Sequence, residues 1–355
     1  MTATTPILSR RALNRATLER QLLLRRSPMG VTEAVAHLVG LQAQVPVDPY
    51  TALWSRLDGF APDDLGGLVT DRSVVRTVLM RGTIHLVTAA DCLELRAHFQ
   101  PVLDKELARH PDYGPALAGI DLAPVLEASR PLLAEPRTPA RLRAALAERF
   151  PELDAGALAY ACRNHLALVQ APPRGVWGRT GQVAWVDAEA WLGGPVATAP
   201  SIDRLVLRYL AAFGPASVAD VATWSRLTGL REVIDRLSPG LRRFRDERRR
   251  DLVDLPDAPR PDPDTPAPVR FLPEYDNLLL SHDDRSRFYD RSVSSDGPVR
   301  GTVLHDGVVR GIWRVERASR RLVVEHAGPA TDEIVAEAEA LAAMWGAGEV
   351  RLMPG

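Results

Sequence analysis

The sequence predicts an α+β protein in which winged helix-turn-helix units repeat along one chain and a small α/β module closes it. Two observations lead there. Two stretches carry the same order of elements, three helices and then a hairpin, and the Pro- and Asp-rich run DAPRPDPDTPAP from Asp257 separates them from a strand-rich remainder.

The clearest unit spans residues 199–260. IDRLVLRYLAAF spaces its apolar residues as an amphipathic helix does, and SVADVATWS opens a second helix with Ser217 as N-cap and Asp220 at the capping-box position. LTGLREVIDRL supplies a third helix and Ser-Pro-Gly ends it. LRRF and DLVDL then pair as short strands around the arginine-rich loop DERRR. The same grammar occupies residues 116–198: LAPVLEASRPLL, then TPARLRAALAERF with Thr138 as N-cap and Pro139 at the first helical position, then DAGALAYACRNHL. LALVQAP and QVAWVD follow as a hairpin around PPRGVWGRTG. Residues 1–115 read as a third, decorated copy, with helices over RALNRATLERQLLL, VTEAVAHLVGL, PYTALWSRL and PDDLGGLV leading into β-rich runs VVRTVLM and TIHLVTA around Arg81-Gly82. In residues 261–355, FLPEYDNLLL, GTVLHDGVVRGIWRVE and RLVVEHA precede a helix over TDEIVAEAEALAAMW and a strand at EVRLM, a module expected to pack on the winged helices.

Composition narrows the function classes. A chain of 355 residues with 46% hydrophobic content buries a sizeable core and holds two or three domains. No segment approaches 18 apolar residues, and QLLL is too short for a signal-peptide core, so a cytoplasmic location is expected. Cys92 and Cys162 stand far apart with no Cys/His cluster, which points to buried small hydrophobes; no disulfide, metal or cofactor is expected. P-loop, dinucleotide-binding, GxSxG and HExxH motifs are missing. The net charge of −1 conceals asymmetry: residues 9–26 carry six Arg against one Glu, and residues 226–250 nine Arg against four acids. Among the 44 basic residues Lys105 is the single lysine, in the helix-like PVLDKELARH.

The words HLVGLQAQVPVDPYTALWSRLDGF, VVRTVLMRGTIHLVTAAD, PPRGVWG and FLPEYDNLLLSHDDRSRF with GIWR, in that order over nearly the whole chain, resemble the tandem winged-helix DNA glycosylase family of AlkZ and YcaQ. The resemblance implies three winged-helix units around a concave, positively charged surface for duplex DNA, with a Gln-x-Gln or Gln-x-Asp motif as catalytic element. Here the motif is Gln42-Ala43-Gln44, of the AlkZ-like form, a branch associated with self-resistance to DNA-alkylating natural products and with unhooking of interstrand crosslinks. It also implies a bacterial, nucleoid-associated protein, monomeric and without an obligate protein partner.

Residues two apart diverge by about 200° on a helix but share one face of an extended segment. The helical pattern runs out at Gly40-Leu41, and Val45-Pro46 disfavours helix, so Gln42 and Gln44 are expected to project into one cleft. An isolated QAQ would simply cap a helix and meet solvent; the resemblance makes these two the catalytic candidates. N7 or N3 alkylation leaves a purine cationic and a good leaving group, so neutral amides that place a water and contact sugar or lesion suffice, without the paired acids of glycosidases. With one lysine away from the motif in sequence, hydrolysis without lyase action is expected.

DNA contacts are expected from Arg76, Arg81 and His85 around the motif, from Arg174 and Arg179 in one wing, from Arg245, Arg248 and Arg249 in the next, and from Arg285 and Arg287 in DDRSRF. The last two also have Asp276, Asp283 and Asp284 as nearby partners. Trp177 and Trp313 read as packing residues. The competing reading is a non-catalytic winged-helix protein, a transcription regulator or a lesion- or drug-sequestering protein.

Overall fold

The computed structural model of the protein describes residues 5–289 and 300–354. The capped helices of the sequence form as expected. In the unit around residue 210, helices Ile202–Phe213, Val218–Ser225 and Leu230–Leu237 precede strands Arg242–Asp246 and Asp251–Asp254, which pair antiparallel. Ser217 accepts the Asp220 N–H, and Asp220 returns the bond to the Ser217 N–H at 2.8 Å, so the first turn leaves neither donor unmet. In the preceding unit Thr138 caps Pro139–Arg149, and strands Leu168–Gln170 and Trp185–Asp187 make the hairpin.

The first two units do not close separate sheets. One five-stranded sheet runs in the order Leu41–Gln42, Ile84–Thr88, Val74–Val78, Leu168–Gln170, Trp185–Asp187, so the second unit's hairpin continues the first unit's ladder. The third unit's strands gain Ile7–Leu8 in parallel beside Arg242–Asp246. The C-terminal sheet runs Arg270–Leu272, Gly301–His305, Val308–Glu316, Arg321–His326, Glu349–Pro354, with helix Asp332–Trp345 packed on it.

Arginine joins these parts. The basic N-terminal run, which the sequence displays as a charge cluster, turns two of its six arginines inward from helix Arg10–Arg20, while Arg10, Arg11 and Arg25 stay exposed: Arg20 grips Asp254 at 2.6 and 2.8 Å, and Arg15 bonds Asp306 and the Thr265 carbonyl. Arg56, which follows helix Asp48–Trp54, is fully buried and makes a two-pronged pair with Asp276 at 2.8 and 2.7 Å, tying the motif-bearing unit to the C-terminal module. Desolvating both charges costs several kcal/mol, so the pair adds little net stability, yet losing one partner strands the other. Arg56→Met is therefore expected to lower the unfolding free energy by about 3–5 kcal/mol, read by urea denaturation; a loss below about 1 kcal/mol would show that the pair does not hold the module.

Candidate active site

The QAQ segment sits on an edge strand because the chain reverses sharply before it. Helix Val31–His37 ends at Leu38, and Val39 and Gly40 both take left-handed backbone, with φ of 54° and 87°. At Gly40 a Cβ would lie 2.6 Å from Val87 Cγ1 and 3.0 Å from the Leu86 carbonyl, so only glycine fits. Leu41 and Gln42 then pair with Leu86 and His85, and the Ala43 N–H bonds the Ile84 carbonyl at 2.8 Å. Leu41 and Ala43 enter the same apolar core, which by strand alternation puts Gln42 and Gln44 together on the opposite face.

The orientation of each amide follows from donors that cannot accept. The Arg81 guanidinium donates to Gln42 Oε1 at 2.6 Å, and the Ile84 N–H donates to Gln44 Oε1 at 3.3 Å. Arginine and backbone N–H offer hydrogens alone, so both amide oxygens must face inward. Among the described residues the Nε2 groups take no protein partner; Gln44 is exposed, and Gln42, though 6% exposed, has its Nε2 open rather than sealed. The motif thus presents two amide donors outward.

Four words far apart in sequence converge behind it. Arg76 donates to the Ala43 carbonyl at 2.8 Å and to Gln170 Oε1 at 2.7 Å. Gly175 of PPRGVWG, with φ of 93°, lies over Arg76, where a Cβ would stand 2.8 Å from Arg76 Cδ; the Tyr50 hydroxyl donates to the Gly175 carbonyl at 2.8 Å and accepts the Trp177 N–H at 2.9 Å. Asn277 of FLPEYDNLLL donates to the Gly40 carbonyl at 2.9 Å and accepts from Arg81 at 3.4 Å. Arg81 itself occupies a left-handed turn, φ 59°, between strands Val74–Val78 and Ile84–Thr88, and also donates to the Trp224 carbonyl at 3.0 Å. A non-glycine residue in this conformation carries backbone strain, which the bonds of the Arg81 side chain hold in place. Burial, then the charges of Arg226 and Arg285, push Arg81 down to about 10, so it stays cationic at neutral pH.

His85 completes this support. It is fully buried, with Nδ1 3.0 Å from the Thr83 carbonyl and Nε2 3.3 Å from Arg81. A donor at Nε2 and an acceptor at Nδ1 fix the neutral Nδ1–H tautomer. Burial, reinforced by Arg81, lowers its pKa to about 3.

The structure places several of the expected DNA contacts in the interior. His85 at 0%, Arg76 at 2% and Arg287 at 3% exposed spend their polar atoms inside; Arg287 donates to Thr17, to the Pro215 carbonyl and towards His282. Arg81 is partly buried and works through Gln42, and Arg174 is half-buried on the Gly181 carbonyl. Arg245 and Arg248 are exposed but paired, with Asp251 at 3.1 Å and Asp284 at 3.2 Å. Arg179, Arg249 and Arg285 are exposed, with no side-chain partner among the described residues. Arg226, which sequence reading did not single out, is likewise exposed and has a φ of 61° where Val218–Ser225 ends; nothing local in the sequence sets it apart from the other arginines of residues 226–250. Lys105 is exposed on helix Gln100–Arg109, whose Glu106 lies against Gly82 in the Arg81 turn.

With this geometry in place, comparison with known proteins settles the family. Residues 35–344 match the family model described as DNA glycosylase AlkZ-like. The chain belongs to the AlkZ-like DNA glycosylase family. It is accordingly a DNA glycosylase, and the solved structure titled Streptomyces sahachiroi DNA glycosylase AlkZ shares its fold, superposing with a TM-score of 0.75 over 98% of this chain and 100% of that one, at 19% identity. No curated protein sequence matches.

Two outcomes are expected. Arg81→Gly, which relieves the left-handed backbone while removing the guanidinium, should lower the single-turnover rate of base release at least tenfold in protein shown by circular dichroism to be folded; an unaltered rate would remove Arg81 from the site. Because His85 binds its proton more weakly folded than unfolded, stability should fall as pH drops from about 6.5 towards 3, and His85→Gln should flatten that part of the profile in urea unfolding. Identical slopes would contradict the buried neutral histidine.

Proposed function

We propose that the protein is a monofunctional DNA glycosylase that hydrolyses the N-glycosidic bond of cationic alkylated purines in duplex DNA, N7-alkylguanine foremost, with bulky natural-product adducts and interstrand crosslinks as candidate substrates. The observation that carries this reading is the pair of outward amide donors, Gln42 held by Arg81 and Gln44 by the Ile84 N–H.

An alkylated purine leaves without being protonated, so the site needs no strong acid. As the bond from C1′ to the ring nitrogen breaks, its electron pair moves onto the purine and cancels the positive charge. The purine's oxygen and nitrogen acceptors then become stronger, and donors aimed at them bind the transition state more tightly than the ground state. Water adds to C1′ of the sugar and gives up its proton to solvent. The donor-facing amides sharpen the sequence expectation: they act on the lesion or hold the oxygen of a water, and do not take a proton from it. Exposed Arg179, Arg226, Arg249 and Arg285 are among the arginines free to meet phosphates.

A duplex with one N7-methylguanine should yield alkali-labile abasic sites with wild type, and Gln42→Ala/Gln44→Ala should lose at least about 100-fold in single-turnover rate while keeping DNA affinity. Binding without release, on this lesion, a bulky adduct and a crosslink alike, would overturn the catalytic reading. Borohydride should trap no covalent enzyme-DNA adduct; a trapped adduct lost in Lys105→Ala would overturn monofunctional action. Neutralising Arg226 and Arg285 together should reduce the slope of log K against log salt by about 2, and an unchanged slope would take both off the phosphates.

A further inference from the structure

The turn that carries Arg81 is backed by the second winged-helix unit. Residues 80–83 form a tight hairpin turn, closed by the Thr83 N–H on the Met80 carbonyl at 3.1 Å, and both central residues take left-handed backbone, Arg81 with φ of 59° and Gly82 with φ of 73°. Gly82 adopts this freely and Arg81 does not, so an unsupported turn favours conformations that carry the guanidinium away from Gln42. Glu106 stands against such a movement. A Cβ at Gly82 would lie 2.6 Å from Glu106 Oε2 and 3.9 Å from Leu103 Cδ2, which puts helix Gln100–Arg109 directly on the turn. Glu106 Oε2 is sealed there and bonded to nothing among the described residues, whereas Oε1 accepts the Tyr160 hydroxyl at 2.7 Å and Arg163 at 3.3 Å. Arg163 is itself held, donating to Asn164 Oδ1 at 2.9 Å and lying over the Tyr160 ring. With one oxygen fastened from behind, the other cannot swing off the glycine. A carboxyl oxygen sealed without a donor is also a cost that plain helix packing would avoid, since an apolar side chain fills the same space.

We propose, resting on the glycosylase reading above, that Glu106 is a positioning residue for base release: it holds the 80–83 turn closed, so that Arg81 keeps donating to Gln42 Oε1. The path runs from Tyr160 and Arg163 through Glu106 to Gly82, and from the turn through Arg81 to the amide. Tyr160 and Arg163 belong to helix Ala155–His165, the third helix of the second unit and the one that a sequence-reading winged helix lays in the major groove. No residue of that helix is exposed, and these two side chains are spent on Glu106. The second unit's recognition helix therefore serves as a buttress for the first unit's catalytic turn. Glu106 acts by filling the space over Gly82 while anchored at Oε1, and glutamine has both properties: an oxygen for Tyr160 and Arg163, and an NH2 of matching size for the glycine. Alanine has neither.

The test combines single-turnover release from the N7-methylguanine duplex with amide hydrogen exchange on the full chain. Glu106→Ala should release base roughly five- to tenfold more slowly with duplex Kd within about twofold of wild type, and Glu106→Gln should stay within about twofold of the wild-type rate. The amides of Gly82 and Thr83, which bond the Leu79 and Met80 carbonyls, should exchange at least about tenfold faster in Glu106→Ala, while strands Val74–Val78 and Ile84–Thr88 keep wild-type protection. A residue that merely stabilises the fold would loosen the strands along with the turn. Tyr160→Phe, which frees Glu106 Oε1 without emptying the space, should shift both rate and turn exchange about two- to threefold in the same direction, and it carries the test if Glu106→Ala does not fold. A wild-type rate in Glu106→Ala, a loss that Glu106→Gln does not restore, slow release with unchanged turn exchange, or no effect of Tyr160→Phe on either readout would overturn the proposal. Failure of wild type to release base rejects the catalytic reading instead, and the exchange comparison still decides whether Glu106 holds the turn.

Discussion

The interaction on which the candidate site depends is the hydrogen bond from Arg81 to Gln42. An amide side chain can turn either end outward at almost no intrinsic cost, so an unsupported glutamine would present a mixture of donor and acceptor. Arg81 removes the choice because it has hydrogens and no lone pair to offer. Everything around it serves to hold that guanidinium: the left-handed turn, neutral His85, the Asn277 side chain and the Trp224 carbonyl at the end of the third unit's second helix. The site is thus assembled from all three winged-helix units and the C-terminal module, and it exists only when they are docked.

Arginine serves two opposed purposes here. Arg15, Arg20, Arg56, Arg76, Arg96 and Arg287 are each at most 3% exposed and join segments distant in sequence through carboxylates and carbonyls. A planar fork with several fixed donors can satisfy such carbonyls and carboxylates together, whereas lysine, a flexible point charge, would leave some unmet. Other arginines stay exposed and have no side-chain partner among the described residues; the charges of two of them, Arg226 and Arg285, reach Arg81.

Local features were legible in the sequence, and long-range ones were not. Ser217 with Asp220, and Thr138 with Pro139, announced their helices because capping is settled within four residues. The extended QAQ segment was likewise readable from Gly40 and Pro46, which act on their immediate neighbours. Burial of Arg76 and Arg287 was not, since their partners lie up to 270 residues away and an arginine in isolation reads as exposed charge. The shared five-stranded sheet was also hidden: each unit's strands look like a closed hairpin, and nothing local says that Val74–Val78 will pair with Leu168–Gln170. The short helices over Ala89–Leu95, Tyr113–Leu117 and Ala188–Leu192 escaped notice because five to seven residues give too few turns for periodicity to show. The words HLVGLQAQ, VVRTV, PPRGVWG and FLPEYDN marked a family; why they go together emerges only when Gly40, Arg76, Gly175 and Asn277 meet behind the motif.

The most direct test of the account replaces one atom. Gln42→Glu retains an oxygen for Arg81 and the length of the side chain but turns an oxygen outward where the NH2 had been. Single-turnover excision of N7-methylguanine should fall about 100-fold, with duplex affinity and melting temperature close to wild type, because the outward donor is what the transition state requires. Excision at the wild-type rate would contradict the account, since a site that works equally well with an outward acceptor does not depend on the donor that Arg81 enforces.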